Sequence, residues 1–350
     1  MNTLHLDFET RSTVDLKITG AHVYAGHSST GVWCMAYAFN DGAIAVWRPG
    51  EEPPPLVVGH VEGGHGVVAH NVNFEWCIWN AILVPRYGFP PLKIEQCYCT
   101  MAMAGAMALP RDLGGAAAAV GLDAQKDMEG RRLMLQMARP RKIDGDEITW
   151  WDDAPRLERL VAYCRQDVET ERQLEKRLLS LSAQERRVWL LDHKINNRGV
   201  GIDLGTIGAA EKVVELAAAR LDRRMMQVTF GAVSKCSKVR DLVDWLRSRG
   251  IDGDSVAKAE LAALLERGNL PADVRQALEI RQEAAKTSTA KLAKMRGGAS
   301  RDGRARGLFL YGGANTGRWT GARVQPHNLP RPSRSFGEIE DVIRVLGEVA

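Results

Sequence analysis

The chain of 350 residues has no apolar run long enough to cross a bilayer. The longest, Met101 to Leu109, is interrupted by Gly105 and stops at Pro110, well short of the roughly 20 residues that a spanning helix needs. Met1-Asn-Thr-Leu-His-Leu-Asp carries no basic segment leading into an apolar one, so no secretory signal is read and a cytoplasmic protein with no membrane partner is expected. Cysteines are few and scattered: Cys34, Cys77, Cys97, Cys99, Cys164 and Cys236 form no regular framework, which excludes a disulfide scaffold and leaves buried thiols. Cys97 and Cys99 find no second Cys or His pair at zinc-finger spacing, and His60, His65 and His193 show no ligand spacing. Gly63-Gly64-His65-Gly66 lacks the Lys-Ser/Thr of a phosphate-binding loop. No Ser or Cys nucleophile motif, internal repeat or low-complexity tract is present.

What is present is an ordinary globular composition, 45% hydrophobic and 26% charged, in a chain long enough for two cores. The net charge of +4 divides unevenly: residues 1–180 hold 18 Lys and Arg against 23 Asp and Glu, and residues 181–350 hold 29 against 20. Residues 291–335 alone carry ten basic side chains and one acid, Asp302. That favours a polyanionic ligand, with a solvated basic loop as the alternative.

The first half reads as mixed α/β. Strands are expected at Thr3 to Phe8, Val32 to Phe39 and Ala43 to Trp47, the last two joined by the hairpin signal Asn40-Asp41-Gly42, with further strands at Val67 to Ala69 and Ile94 to Cys97. Helices are expected at Phe74 to Leu83, Leu113 to Val120 and Pro155 to Leu181, the last capped by Asp152-Asp153, while Pro53-Pro54-Pro55 reads as a loop. From Ser182 the apolar period turns helical, at Gln184 to Asn196, Leu204 to Val228, Val239 to Arg249, Lys258 to Glu266 and Pro271 to Met295. Two domains follow, residues 1–181 and 182–350.

Asp7 and Glu9 stand two apart on the first strand, so both side chains share one face while Leu6 and Phe8 point to the other. Adjacent, partly desolvated anions repel, and a divalent cation relieves them; the alternative is a solvated acidic edge. Glu75 falls near the junction of a later strand with its helix, and Tyr163 and Asp167, four apart, share a helical face. Four such carboxylates suit two Mg²⁺ or Mn²⁺ ions and hence phosphodiester hydrolysis. Tyr163 would orient the attacking water rather than deprotonate it.

The set Asp7-Phe8-Glu9-Thr10, Asn71-x-x-x-Glu75 and Tyr163-x-x-x-Asp167 resembles the three motifs of DEDD-type 3′→5′ exonucleases in their tyrosine variant. The resemblance implies a ribonuclease H-like fold and a site in which Asp7, Glu9, Glu75 and Asp167 bind two metals and Tyr163 positions the water. It also implies that Thr10, Asn71 and Phe74 contact the DNA strand. The family usually has Asp in the second motif, and Glu75 is one methylene longer.

A second resemblance lies in Leu310-Tyr311-Gly312-Gly313-Ala314-Asn315-Thr316-Gly317-Arg318-Trp319-Thr320-Gly321 with Val324-Gln325-Pro326-His327-Asn328-Leu329-Pro330-Arg331. It is similar to the segment of family A DNA polymerases that leads from thumb to palm along the primer-template duplex, His327 standing where the family often has Gln. Arg318, Gln325, Asn328 and Arg331 are the DNA contacts this implies. Glu185 to Asp203 resembles the first thumb helix and turn. The order resembles the N-terminal part of a phage or prophage family A DNA polymerase: a ribonuclease H-like exonuclease domain at 1–181, then at 182–350 a mainly α-helical thumb-like region and the start of a palm. The implied partners are single-stranded 3′ ends, primer-template duplex and other replication proteins in a bacterial or phage-infected cell. The palm and fingers motifs do not follow before Ala350, so a proofreading exonuclease that cannot polymerise by itself is expected. The alternatives are a ribonuclease D-like RNA 3′ exonuclease and a non-catalytic DNA-binding remnant of a polymerase.

Overall fold

The computed structural model describes residues 3–122, 127–252, 255–285, 289–314, 316–329 and 335–349. The chain forms two compact units: Met1–Ile202 with Gly297–Asn328, and Asp203–Arg296 with Leu329–Ala350. The units thus divide the chain differently from a single cut at 181/182, because the helix after 181 and residues 297–328 both pack within the first unit.

The first unit is built on β1 (Thr3–Arg11), β2 (Gly31–Phe39), β3 (Ala45–Trp47), β4 (Gly66–Ala69) and β5 (Cys97–Cys99). Their order across the sheet is β3-β2-β1-β4-β5, with β2 antiparallel to β1 and β3, and β4 parallel to β1 and β5. The expected meander is present, and Asn40 takes the left-handed turn conformation, φ 48°, while its side chain accepts from Thr3 N. The third strand starts at Ala45 rather than Ala43, and the expected strand over Ile94 to Cys97 is a 3₁₀ turn at Ile94–Gln96 leading into β5. β1 is central, which removes the solvated-edge alternative for Asp7 and Glu9. Between Glu9 and Thr10 its register against β2 slips by a β-bulge, a device that re-aims a side chain.

Helices of this unit are α1 (Leu16–Thr19), α2 (Ala21–Gly26), α3 (Pro55–Glu62), α4 (Val72–Ile78), α5 (Val84–Tyr87), α6 (Thr100–Ala106), α7 (Leu113–Ala119), α8 (Met128–Met137), α9 (Ala154–Glu175) and α10 (Ala183–Arg198). The prolines expected to mark a loop instead start α3, where Pro55 occupies the first helical position and its missing N–H costs nothing. The helix expected over Phe74 to Leu83 starts two residues earlier and widens to a π-turn at Trp79–Leu83, just before Pro85, which cannot donate an i→i−4 bond. α9 is capped by Asp153, which accepts from Arg156 N, and ends at Glu175, six residues short of Leu181.

One face of the sheet buries Leu4, Leu6 and Phe8 with Trp79, Ile78 and Leu83. On the other face the side chains of β2 are small, Cys34, Ala36 and Ala38, and α9 packs on them through Val161, Cys164 and Val168. Their small volume lets the helix approach the strand that bears the acids.

The second unit is helical: α11 (Leu204–Val228), α12 (Val239–Ser248), α13 (Lys258–Leu265), α14 (Ala272–Ala284), α15 (Ala290–Gly297) and α16 (Phe336–Val349). Its core gathers Leu221, Met225, Leu242, Trp245, Leu261 and Leu278. Where a single helix is expected over Pro271 to Met295, the described residues form two, α14 ending at Ala284 and α15 starting at Ala290.

Candidate active site

Asp7 and Glu9 lie opposite Ala36 and Cys34 of β2, on the face that α9 covers. Glu9 is buried, and Asp7 is half-buried. β4 runs parallel to β1, pairing His5 with Val68, and the chain leaves it through Asn71 to start α4. Asn71 has φ 70° and ψ 44°, a left-handed conformation that Asn adopts more readily than other non-glycine residues. The abrupt start it permits puts Glu75, 3% exposed, into the first turn and under the electrostatic influence of Asp7.

Asp7, Glu9 and Cys164 offer ligand atoms all within 4.8 Å of one another. Burial lifts the Cys164 thiol well above its ordinary range, so it stays an S–H and donates to Asp7 O and Oδ2 at 3.5 and 3.4 Å. It is a clasp on Asp7 rather than a ligand for a hard cation. Burial likewise pushes Asp7, Glu9 and Glu75 well above the usual carboxylate range, and in each the next contribution is another carboxylate: Asp167 acts on Asp7, and Asp7 acts on the other two. Asp167 is pushed up to about 6 by burial, against the hydrogen bond that the Tyr163 phenol donates to it. Burial and Asp167 raise Tyr163 in turn, which keeps the phenol protonated.

The residues fit divalent cations. Four carboxylates are the oxygen donors that Mg²⁺ and Mn²⁺ prefer. Glu75 Oε2 is buried without a hydrogen-bond partner, and the strongest electrostatic influences on these acids are of like sign. An ion between them supplies the missing partner and charge.

Two further members were missed by sequence reasoning. Glu171, 3% exposed, lies with Oε2 2.7 Å from His5 Nδ1, leaves Oε1 without a partner, and acts on both Asp7 and Glu75. His5 precedes Asp7 by two on the same strand face, and Glu171 follows Asp167 by four, so the spacings that picked out Asp7 and Asp167 reach both when carried one step on.

The expected DNA contacts fall out differently. Thr10 is buried and its Oγ1 lies 2.9 Å from the Tyr24 hydroxyl, which makes it a core hydrogen bond rather than a surface contact; Tyr24 in turn sits 6.1 Å from the Phe74 ring. Asn71 is exposed and borders a cavity of about 430 Å³ that Tyr311 and Arg323 also line. Arg111 donates to the carbonyls of Tyr311 and Gly312 at 2.8 and 2.9 Å, and Asn196 exchanges hydrogen bonds with the Phe309 backbone, which fixes the 307–323 segment within the first unit. Arg318, Gln325 and Asn328 are exposed, the last donating to Gln325 Oε1 at 3.2 Å. They stand apart from the groups that perturb the carboxylates. Arg331 lies outside the described residues. No described helix is long and apolar enough to cross a membrane.

No protein-family model matches the chain. It is 33% identical over 357 aligned positions to a DNA polymerase of Bacillus phage SP02, an alignment that takes in 98% of this chain and 52% of that protein. Among solved structures it resembles the POL domain of Pol1 from M. smegmatis, solved in complex with DNA primer-template and dNTP, with a TM-score of 0.55 at 13% identity over 95% of this chain and 53% of that one. The chain is therefore DNA polymerase-like, similar along nearly its whole length to a phage DNA polymerase of which it spans about half.

Proposed function

We propose that the first unit is a metal-dependent 3′→5′ exonuclease acting on DNA, joined to a thumb-like helical unit of family A type. The observation that carries the reading is the buried acid cluster, in which Glu75 Oε2 has no partner and Asp7 and Glu9 converge beneath a helix that presents Tyr163 and Asp167. The sheet order, with β2 reversed against an otherwise parallel centre, supports a ribonuclease H-like scaffold.

Asp7, Glu9, Glu75 and Asp167 would hold two divalent cations, which when bound acidify water and neutralise the charge that builds on phosphate oxygens. The protein's own groups set the rest. Cys164 fixes the rotation of the Asp7 carboxylate. Tyr163 remains a hydrogen-bond donor, so it orients a nucleophile and does not take its proton. The Asp167 carboxylate, accepting that bond, holds the phenol in place. Asn71, exposed where α4 starts, faces an incoming strand.

The test is a gel time course on 5′-labelled single-stranded DNA and RNA of one sequence, in Mg²⁺, Mn²⁺ and EDTA, with Asp7→Ala alongside. A metal-dependent ladder on DNA that disappears in the variant supports the exonuclease. Faster trimming of RNA points to the ribonuclease D-like alternative, and no ladder under any condition overturns catalysis and leaves a DNA-binding remnant.

A further inference from the structure

The half of the chain that holds the acid cluster is net negative, 18 basic against 23 acidic residues. One face of it runs against that balance. α8 is capped by Asp127, whose side chain accepts from Gly130 N and, through both carboxylate oxygens, from Arg159 Nη2 at 2.6 Å. Gly130 then lies flat against the Tyr163 ring: a Cβ there would stand 2.5 Å from Tyr163 Cδ2. The helix is thereby fixed directly beside the Tyr163–Asp167 pair. On one side of it a cavity of about 290 Å³ is lined by Tyr163, Asp167, Met128 and Arg131. On the other side a groove of about 890 Å³ is lined by Arg131, Arg132, Arg156 and Arg159 with Met128 and Leu135, against the single acid Glu129. Met128 and Arg131 border both, so groove and cavity adjoin at one turn of helix.

The four arginines are not equivalent. Arg156 pairs with Asp153 at 2.5 Å and Arg159 with Asp127, so their charge is already answered. Arg131 and Arg132 are exposed and have no ion-pair or hydrogen-bond partner among the described residues. Flanking them along α8, Met128 and Leu135 are 61% and 51% exposed, large apolar side chains left in water on either side of the two unpaired cations. That alternation suits a ligand that presents phosphates and flat apolar faces together, which an unpaired nucleic-acid strand does. A duplex turns its base faces inward and has nothing to set against Met128 and Leu135.

We propose that the groove along α8 is the track for the single strand whose 3′ end reaches Tyr163 and Asp167, with Arg131 and Arg132 neutralising backbone phosphates and Met128 and Leu135 underlying unstacked bases. The proposal rests on the exonuclease reading for its direction, and its test does not require hydrolysis.

The measurement is fluorescence anisotropy of a 5′-labelled oligothymidylate with the full chain in EDTA, followed across salt. Each phosphate neutralised on a single strand contributes about 0.7 to the slope of log K against log salt, so Arg131→Gln with Arg132→Gln should flatten that slope by about 1.4. Arg48→Gln, a half-buried arginine already paired with Glu158, serves as the control and leaves the slope as it was. Circular dichroism and melting of the double variant check that its fold is retained, as is expected for exposed side chains. An unchanged slope overturns the track, and so does an equal flattening on a blunt duplex. Failure of the nuclease reading is seen separately: a strand held through these arginines but never shortened in Mg²⁺ or Mn²⁺ refutes the reaction alone, and a ladder with an unchanged slope refutes the track alone.

Discussion

Replacing Glu75 by Gln separates the electrostatic part of the site from its chemistry. In the metal-free protein a carboxylate oxygen of Glu75 is buried with no partner, beside Asp7 and Glu171. Leaving a buried polar group unanswered costs roughly 1–3 kcal/mol, and more when it is charged. Gln removes the charge and has an amide that can donate to a neighbouring carboxylate, so the change should stabilise the metal-free first unit by about that amount. For a unit of about 230 residues this is roughly 2–12 °C in melting temperature. Added divalent metal should act unequally on the two proteins. Wild type gains about 2.7 kcal/mol when the ion stands at a hundredfold its dissociation constant, and the variant, having lost a ligand, gains much less. The pH dependence fixes the sign. Because burial raises the folded-state pKa of Glu75 above its unfolded value, the penalty is full at pH above the folded pKa, shrinks steadily as pH falls below it and is gone only at the unfolded pKa. The advantage of Glu75→Gln should thus be largest in alkaline buffer and fade on acidification. Scanning fluorimetry of both proteins in EDTA and in Mn²⁺, over a pH series, reads all of this. A variant no more stable than wild type without metal, or equally responsive to metal, would refute the argument that this acid is held in readiness for an ion.

Four other outcomes are expected. Asp7→Ala should abolish digestion while affinity for single-stranded DNA in EDTA stays near wild type, and an equal loss of both would remove Asp7 from the metal site. Gly130→Ala puts a Cβ 2.5 Å from the Tyr163 ring and closer still to Asp127 Oδ2 and should lower kcat by about tenfold or more, since small displacements near reacting groups are costly; an unchanged kcat would show that α8 gives way without disturbing the ring. Asp192 of α10 has its pKa raised to about 6 by burial, so it binds its proton more tightly folded than unfolded and its charge destabilises the fold above that pH. Asp192→Asn should gain roughly 1–2 kcal/mol near neutrality and nothing near pH 4, as judged by urea melts, and a gain independent of pH would point to repacking instead. Arg318→Gln should weaken duplex binding and make it less salt-dependent; a point change is the right probe, because deleting residues 297–350 would remove the Gly307 and Phe309 bonds that satisfy Asn196 and damage the first unit itself.

Much of the site was legible because its spacing is set by local geometry. A period of two placed Asp7 with Glu9, and a spacing of four placed Tyr163 with Asp167, whatever the rest of the fold did. Glu171 continues that second spacing and His5 the first, but a spacing does not say which side chains on a face will be buried, and so neither was singled out. The short α1 and α2 were invisible for the opposite reason: four and six residues hold too few turns to show a period. Least legible was the placement of residues 297–328. Their charge suggested a ligand, while their position depends on bonds such as Asn196 to Phe309, across 113 residues of sequence, which no local pattern encodes.

That placement has a consequence for biosynthesis. The first unit closes only when Ile202 N–H meets Gly303 O and the strand at Val200–Gly201 pairs with Arg304–Ala305, and about 94 residues of the other unit lie between. At about 5–20 residues per second, a ribosome takes roughly 5–19 s to traverse them. For that interval the nascent chain has its acid-bearing sheet outside the tunnel and its closing strand still unmade, with the Asn196 amide open to water. The inserted helices α11 to α15, which gather a core of their own, would pack in that gap, and α16 of the same unit would join them only after the closing segment had been made.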